Sequence, residues 1–88
     1  MSVSSKKKLS QYERLAGTLR DRIAAGIYAR GDKLPSEMEL MDESGLSRST
    51  VRHALKVLAD EGLVRTERTA GRYVTEDRAL IEQLRAEA

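Results

Sequence analysis

Leu34-Pro35-Ser36-Glu37-Met38-Glu39-Leu40, followed after five residues by Leu46-Ser47-Arg48-Ser49-Thr50-Val51-Arg52, decides the fold. Pro35 cannot continue a strand interior. Ser36 followed three residues later by Glu39 is a capping box: the hydroxyl accepts from the Glu39 amide while the Glu39 carboxylate reaches back to the Ser36 amide. The pattern predicts a helix over about residues 37–44, with Leu40 and Met41 inward and Gly45 ending it. Leu46 plugs the turn. Ser47 then caps a second helix whose Val51, Ala54, Leu55 and Leu58 form one buried face. Two short helices joined by a tight turn make a helix-turn-helix, whose second helix lies in the DNA major groove with its N-terminal residues at the base edges.

Upstream, Ser10 caps a first helix in which Tyr12, Leu15, Ala16, Leu19 and Ile23 recur at helical spacing, and Gly26 ends it. Ile27-Tyr28 and the turn Arg30-Gly31-Asp32 suggest a stub of strand leading to Leu34. Downstream, Gly62 closes the third helix. Leu63 to Arg68 and Arg72 to Thr75 are β-prone runs around Thr69-Ala70-Gly71, a hairpin. The expected fold is mainly α with a small β-wing: a winged helix-turn-helix of three helices and a two-stranded hairpin over residues 10–75. Residues 1–9 read as a flexible basic arm. Residues 76–88 read as a linker or the start of a C-terminal segment: Leu80, Ile81 and Leu84 fall at helical spacing, but the run is short for an isolated helix.

Composition narrows the function classes. Eighty-eight residues make one small domain. Without cysteine there is no thiolate metal site, Cys nucleophile or disulfide framework. No apolar run approaches the roughly 20 residues of a membrane span. Lys6-Lys7-Lys8 has no apolar core after it, so no secretory signal is read and a cytoplasmic protein is expected. The net charge is only +2, but it is unevenly spread. Residues 1–25 carry six basic and two acidic groups, and residues 47–75 carry six and three. The intervening residues 26–46 carry two basic and five acidic groups. Such alternation suits either a one-sided positive face for phosphate or a mixed solvated surface. The lysine run suits an arm that follows a groove, and equally a run that only aids solubility.

Helix three carries the sharpest chemistry. Opposite its apolar stripe lie Ser49, Arg52, His53 and Lys56, with Arg48 and Thr50 on either flank of the first turn. Arginine can bind guanine O6 and N7 bidentately, and hydroxyls serve bases or phosphates. The helix N-terminus adds a partial positive charge and free amides. Ser36 is fully explained by capping, with phosphate contact secondary. Arg68 and Arg72 flank the hairpin tip and suit a narrow minor groove. Gly71 permits close approach to the DNA backbone. An ordinary hairpin with solvated arginines is the competing reading of the same residues.

These motifs resemble the DNA-binding domain of the GntR family of bacterial transcription regulators, which shows an L-P-S-E-R-x-L element, an S-R-x-T-V-R element and a small wing. The resemblance runs from about Tyr12 to Val74. It implies base and phosphate contacts at Ser47, Arg48, Ser49, Thr50 and Arg52. His53 stands where the family often has glutamate or glutamine, and fits either a phosphate contact or plain solvation. Two departures stand out. Met38 replaces an arginine that reaches the major groove, leaving only an apolar contact such as a thymine methyl and implying a changed operator. In the wing, where the family shows G-x-G-T-[FY]-V, only Gly71, Tyr73 and Val74 match.

Enzyme readings find no support in the pattern: no Ser/His/Asp set is suggested, and there is no Gly-rich phosphate loop. No cofactor or metal is expected. A GntR-like head can be joined to an aminotransferase-like body that binds pyridoxal phosphate, but 88 residues cannot include one. The expected function is sequence-specific binding of double-stranded DNA as the operator-reading domain of a regulator, expected to be a repressor. The site comprises Ser36, Met38, Ser47, Arg48, Ser49, Thr50, Arg52, His53, Lys56, Arg68, Gly71 and Arg72. Expected partners are a palindromic operator and a second copy on DNA, with an effector-binding C-terminal domain absent from this chain. The alternative is a winged-helix module that binds another protein through helix three, which calls for apolar anchors that its charged outer face does not offer.

Overall fold

The computed structural model describes residues 9–87, so the basic run Lys6-Lys7-Lys8 lies outside the described residues. The order is α1 (Gln11–Ala25), α2 (Glu37–Ser44), α3 (Arg48–Asp60), β1 (Val64–Glu67), β2 (Gly71–Val74) and α4 (Arg78–Glu87). Capping side chains set the helix starts. Ser10 with Glu13 and Ser36 with Glu39 both form reciprocal capping boxes, and Ser47 accepts from the Thr50 amide at 3.2 Å. Gly45 ends α2 at φ 74°, a left-handed conformation that side chains resist, and donates its amide to the Met41 carbonyl at 2.8 Å. That closes α2 abruptly enough for α3 to begin two residues after Leu46.

One hydrophobic core joins all the elements. Leu15, Ala16, Leu19 and Ile23 of α1 meet Leu40 of α2 and the Val51, Ala54, Leu55 and Leu58 face of α3. Leu34, Leu63, Val64 and Val74 seal the side nearest the wing. Each fully buried aliphatic side chain contributes about 1.5–3 kcal/mol over exposure. A polar substitution at Leu19 or Leu55 would lose that contribution and add the cost of burying a polar group without a hydrogen-bond partner.

The wing is an antiparallel hairpin pairing Val64 with Val74, Arg65 with Tyr73, Thr66 with Arg72 and Glu67 with Gly71. Its turn is Arg68-Thr69-Ala70. Gly71, expected within the turn, instead opens β2 at φ 105°. The strand stub also lies elsewhere than expected. Ile27 is exposed and no strand forms at Ile27-Tyr28; the segment before α2 pairs with the outer edge of β2. Lys33 bridges Tyr73, Leu34 donates its amide to the Arg72 carbonyl at 2.8 Å, and the Val74 amide donates to Asp32 at 2.8 Å. The reason is hydrogen bonding: β2 has a free edge beside the extended chain that Pro35 forces to stay out of α2.

A fourth helix extends the expected three. In α4, Ile81 is buried and Leu80 and Leu84 pack against the core, while Arg85 Nε donates to the Ala24 carbonyl at 2.9 Å. The ten residues are too few for an isolated helix, but tertiary packing supplies what propensity does not.

Candidate nucleic-acid interface

At the head of α3 the hydroxyls are knitted together. The Ser47 hydroxyl accepts from the Thr50 amide and donates to the Thr50 hydroxyl at 2.9 Å, with the Ser49 hydroxyl 3.3 Å away. The cap satisfies one of the free amides of the first turn; the exposed Arg48, Ser49 and Arg52 side chains occupy the surface beside it.

Between this helix start and the wing lies a groove of about 520 Å³. Ser36, Met38, Arg48, Gly71 and Arg72 all line it, so the structure brings together five of the site residues expected from the sequence. Met38 is half exposed, at 51%, and faces this groove as its position in α2 requires. Arg52 meets this groove through its hydrogen bond to Glu37, one of the lining residues, and other expected residues sit elsewhere. Ser49, Thr50 and His53 lie on the other flank of α3, against Ser10, Gln11 and Tyr12. There His53 is stacked on Tyr12, ring centroids 3.6 Å apart and planes at 11°, so its imidazole is a packed ring and not a freely solvated one. Lys56 lies further along the outer face, one turn before Asp60 and 3.2 Å from it. Arg68 is in the wing turn and exposed. It does not form a matched pair with Arg72, whose side chain turns inward toward α2.

That inward turn exposes a residue whose importance the sequence did not single out. Glu37, the first residue of α2, receives Arg48 Nη1 at 3.2 Å on one carboxylate oxygen. Its other oxygen receives Arg52 Nε at 2.9 Å and Arg72 Nη2 at 3.2 Å. The Glu37 side chain is only 16% exposed, against 48% and 59% for Arg48 and Arg52. The hydrogen bond from Arg52 holds its carboxyl below the usual carboxylate range; burial opposes this and Arg72 reinforces it. The available signal was an acidic residue opening α2 ahead of two arginines one turn apart on α3, but an acidic first turn is ordinarily read as a helix-dipole preference.

The family described as "Bacterial regulatory proteins, gntR family" matches residues 11–74. The chain belongs to the GntR family. Its match spans the three helices and the wing, so this segment is a GntR DNA-binding domain of winged-helix fold. The chain is 36% identical over 83 residues to the Exu regulon transcriptional regulator of Escherichia coli K12, covering 94% of this chain and 31% of that protein. It is 43% identical over 63 residues to the Uxu operon regulator of Haemophilus influenzae, covering 72% of this chain and 24% of that protein. It thus spans under a third of the length of these two relatives, both named as regulators. Among solved structures it resembles the AraR DNA-binding domain in complex with operator ORR3, with a TM-score of 0.77 and 29% identity, covering 85% of this chain and 90% of that one. A GntR family regulator from Listeria monocytogenes superposes with a TM-score of 0.86 at 30% identity, covering 93% of this chain and 72% of that one. Among the described residues of this GntR domain, no helix is long and apolar enough to cross a membrane.

Proposed function

We propose that this GntR domain reads a palindromic operator as the DNA-binding part of a cytoplasmic transcription regulator, acting as a repressor. The observation that carries the reading is the start of α3: a capped helix N-terminus with Arg48 and Arg52 exposed beside it, facing a groove that the wing closes on one side. Inserted into a major groove, this end presents guanidinium forks to guanine edges and hydroxyls to phosphates. Arg48 and Arg52 read bases or bridge base and phosphate, while Ser47, Ser49, Thr50 and His53 contact the backbone. Ser36 and Lys56 add phosphate contacts, and Met38 touches an apolar base edge. The wing brings Arg68 and Gly71 toward the adjacent minor groove, where narrow width concentrates negative potential, while Arg72, turned toward α2, stays beside the α3 arginines.

Two copies occupying half-sites about 10 base pairs apart would match the two-fold symmetry of such an operator. The apolar residues of α4 amount to about one heptad, too little for a coiled coil, so the chain alone is a monomer that pairs on DNA. An effector-binding domain outside this chain would supply regulation. Selection of bound sequences from a random duplex pool tests the reading, with sedimentation of the protein on half and full sites. Recovery of an inverted repeat, bound far more tightly whole than halved, is expected. Recovery of no preferred sequence, or a tight dimer without DNA, contradicts it.

A further inference from the structure

We propose that Glu37 is a positioning residue for sequence reading: it touches no DNA itself but fixes the two α3 arginines and the wing arginine in one arrangement before DNA arrives. This deepens the operator-reading function and rests on it. The capping of α2 does not need Glu37, because Ser36 and Glu39 already satisfy each other's amide partners. A favourable helix dipole accounts for an acid at this position but not for three guanidiniums converging on it from two other elements. Arg48 and Arg52 come from α3 and Arg72 from β2, so a single carboxylate ties the recognition helix to the wing.

The choice of nitrogens matters. A guanidinium has five N–H donors in a rigid fork. Arg52 gives Glu37 its Nε, which leaves both terminal nitrogens, the pair suited to guanine O6 and N7. Arg48 and Arg72 each give one terminal nitrogen and keep the rest of the fork. Long side chains lose rotamer freedom on binding, and a side chain already held loses less. One negative charge against three positive ones leaves the cluster cationic, so phosphate attraction survives. Glu37 thereby exchanges some sequence-independent attraction for orientation.

That exchange gives the test opposite signs for two kinds of DNA. Wild type, Glu37→Gln and Glu37→Asp are titrated at fixed salt with two duplexes. One is recovered from a random pool by the wild-type protein; the other is a scramble of it with equal length and composition. The ratio of the two affinities is expected to fall about tenfold or more in both variants, the scale of one well-oriented base contact. Glu37→Gln should bind the scramble at least as tightly as wild type, since one negative charge is gone. Glu37→Asp keeps the charge, so its binding to the scramble stays at the wild-type level while its shorter reach releases the arginines. Partial unfolding lowers both affinities by the same factor and leaves the ratio untouched, so a merely structural role cannot mimic the result. An unchanged ratio in both variants overturns the proposal. A wild-type protein that prefers no duplex would instead overturn the operator-reading function beneath it.

Discussion

Tyr12 and His53 stack face to face across the junction of α1 and α3, their ring centroids 3.6 Å apart and their planes 11° from parallel. Tyr12 is half-buried against the core and His53 lies on the outer face of α3, so the pair pins the start of the first helix to the helix that bears the arginines. Aromatic pairs contribute about 0.5–1.5 kcal/mol beyond the area they bury. A double-mutant cycle of Tyr12→Ala and His53→Ala, followed by urea denaturation, should return a coupling energy in that range. Additive losses would show that the rings merely lie near each other.

The C-terminal helix should be part of the folding unit. Ile81 is buried among core residues, so Ile81→Ala is expected to destabilise the domain by about 2–5 kcal/mol, as cavity-forming truncations do. Urea midpoints at an unchanged slope measure it. Stability equal to wild type would mean that α4 docks too weakly to matter.

The acid limb of stability should carry the signature of Glu37 and Glu43. Arg52 lowers the carboxyl of Glu37 and Arg22 lowers that of Glu43 through hydrogen bonds, so both titrate below their unfolded values. A depressed carboxyl contributes its full stabilisation above the unfolded value, about pH 4.3, and loses it as pH falls through the folded value. Stability attributable to them is therefore constant from pH 7 to about pH 5 and declines only in more acid solution. Glu37→Gln should flatten that decline. A variant whose acid limb overlays the wild-type curve would contradict the assignment.

Met38 should help set operator choice. It is half exposed on the groove that Arg48 and Arg72 also line, and no core contact depends on it. Met38→Arg is expected to change the recovered bases in a random-pool selection while leaving the denaturation curve within about 0.5 kcal/mol of wild type. The same consensus from both proteins would place Met38 away from the DNA.

Legibility in the sequence divides along the separation of the interacting residues. The Ser36–Glu39 box, the Ser47 cap and the apolar stripe of α3 depend on residues three or four apart, and each is legible in the sequence alone. Glu37 is not, because its partners stand 11, 15 and 35 residues away on other elements. Tyr12 and His53 are likewise distant, and a lone histidine on a polar face gives no sign of the ring beneath it. The tail showed its helical register, but its docking depends on the Ala24 carbonyl and the core surface that α1 presents. Lys33 pairs with Tyr73 because β2 offers a free edge, something a short apolar pair at Ile27-Tyr28 could not reveal.

Titration of Arg48→Ala and Arg52→Ala on the selected duplex tests whether the start of α3 reads DNA. Both side chains are exposed, so both variants are expected to fold, which circular dichroism checks. Each substitution is predicted to weaken specific binding by about 1–3 kcal/mol, with a smaller loss on a scrambled duplex. Wild-type affinity for the selected duplex in both folded variants would contradict the account.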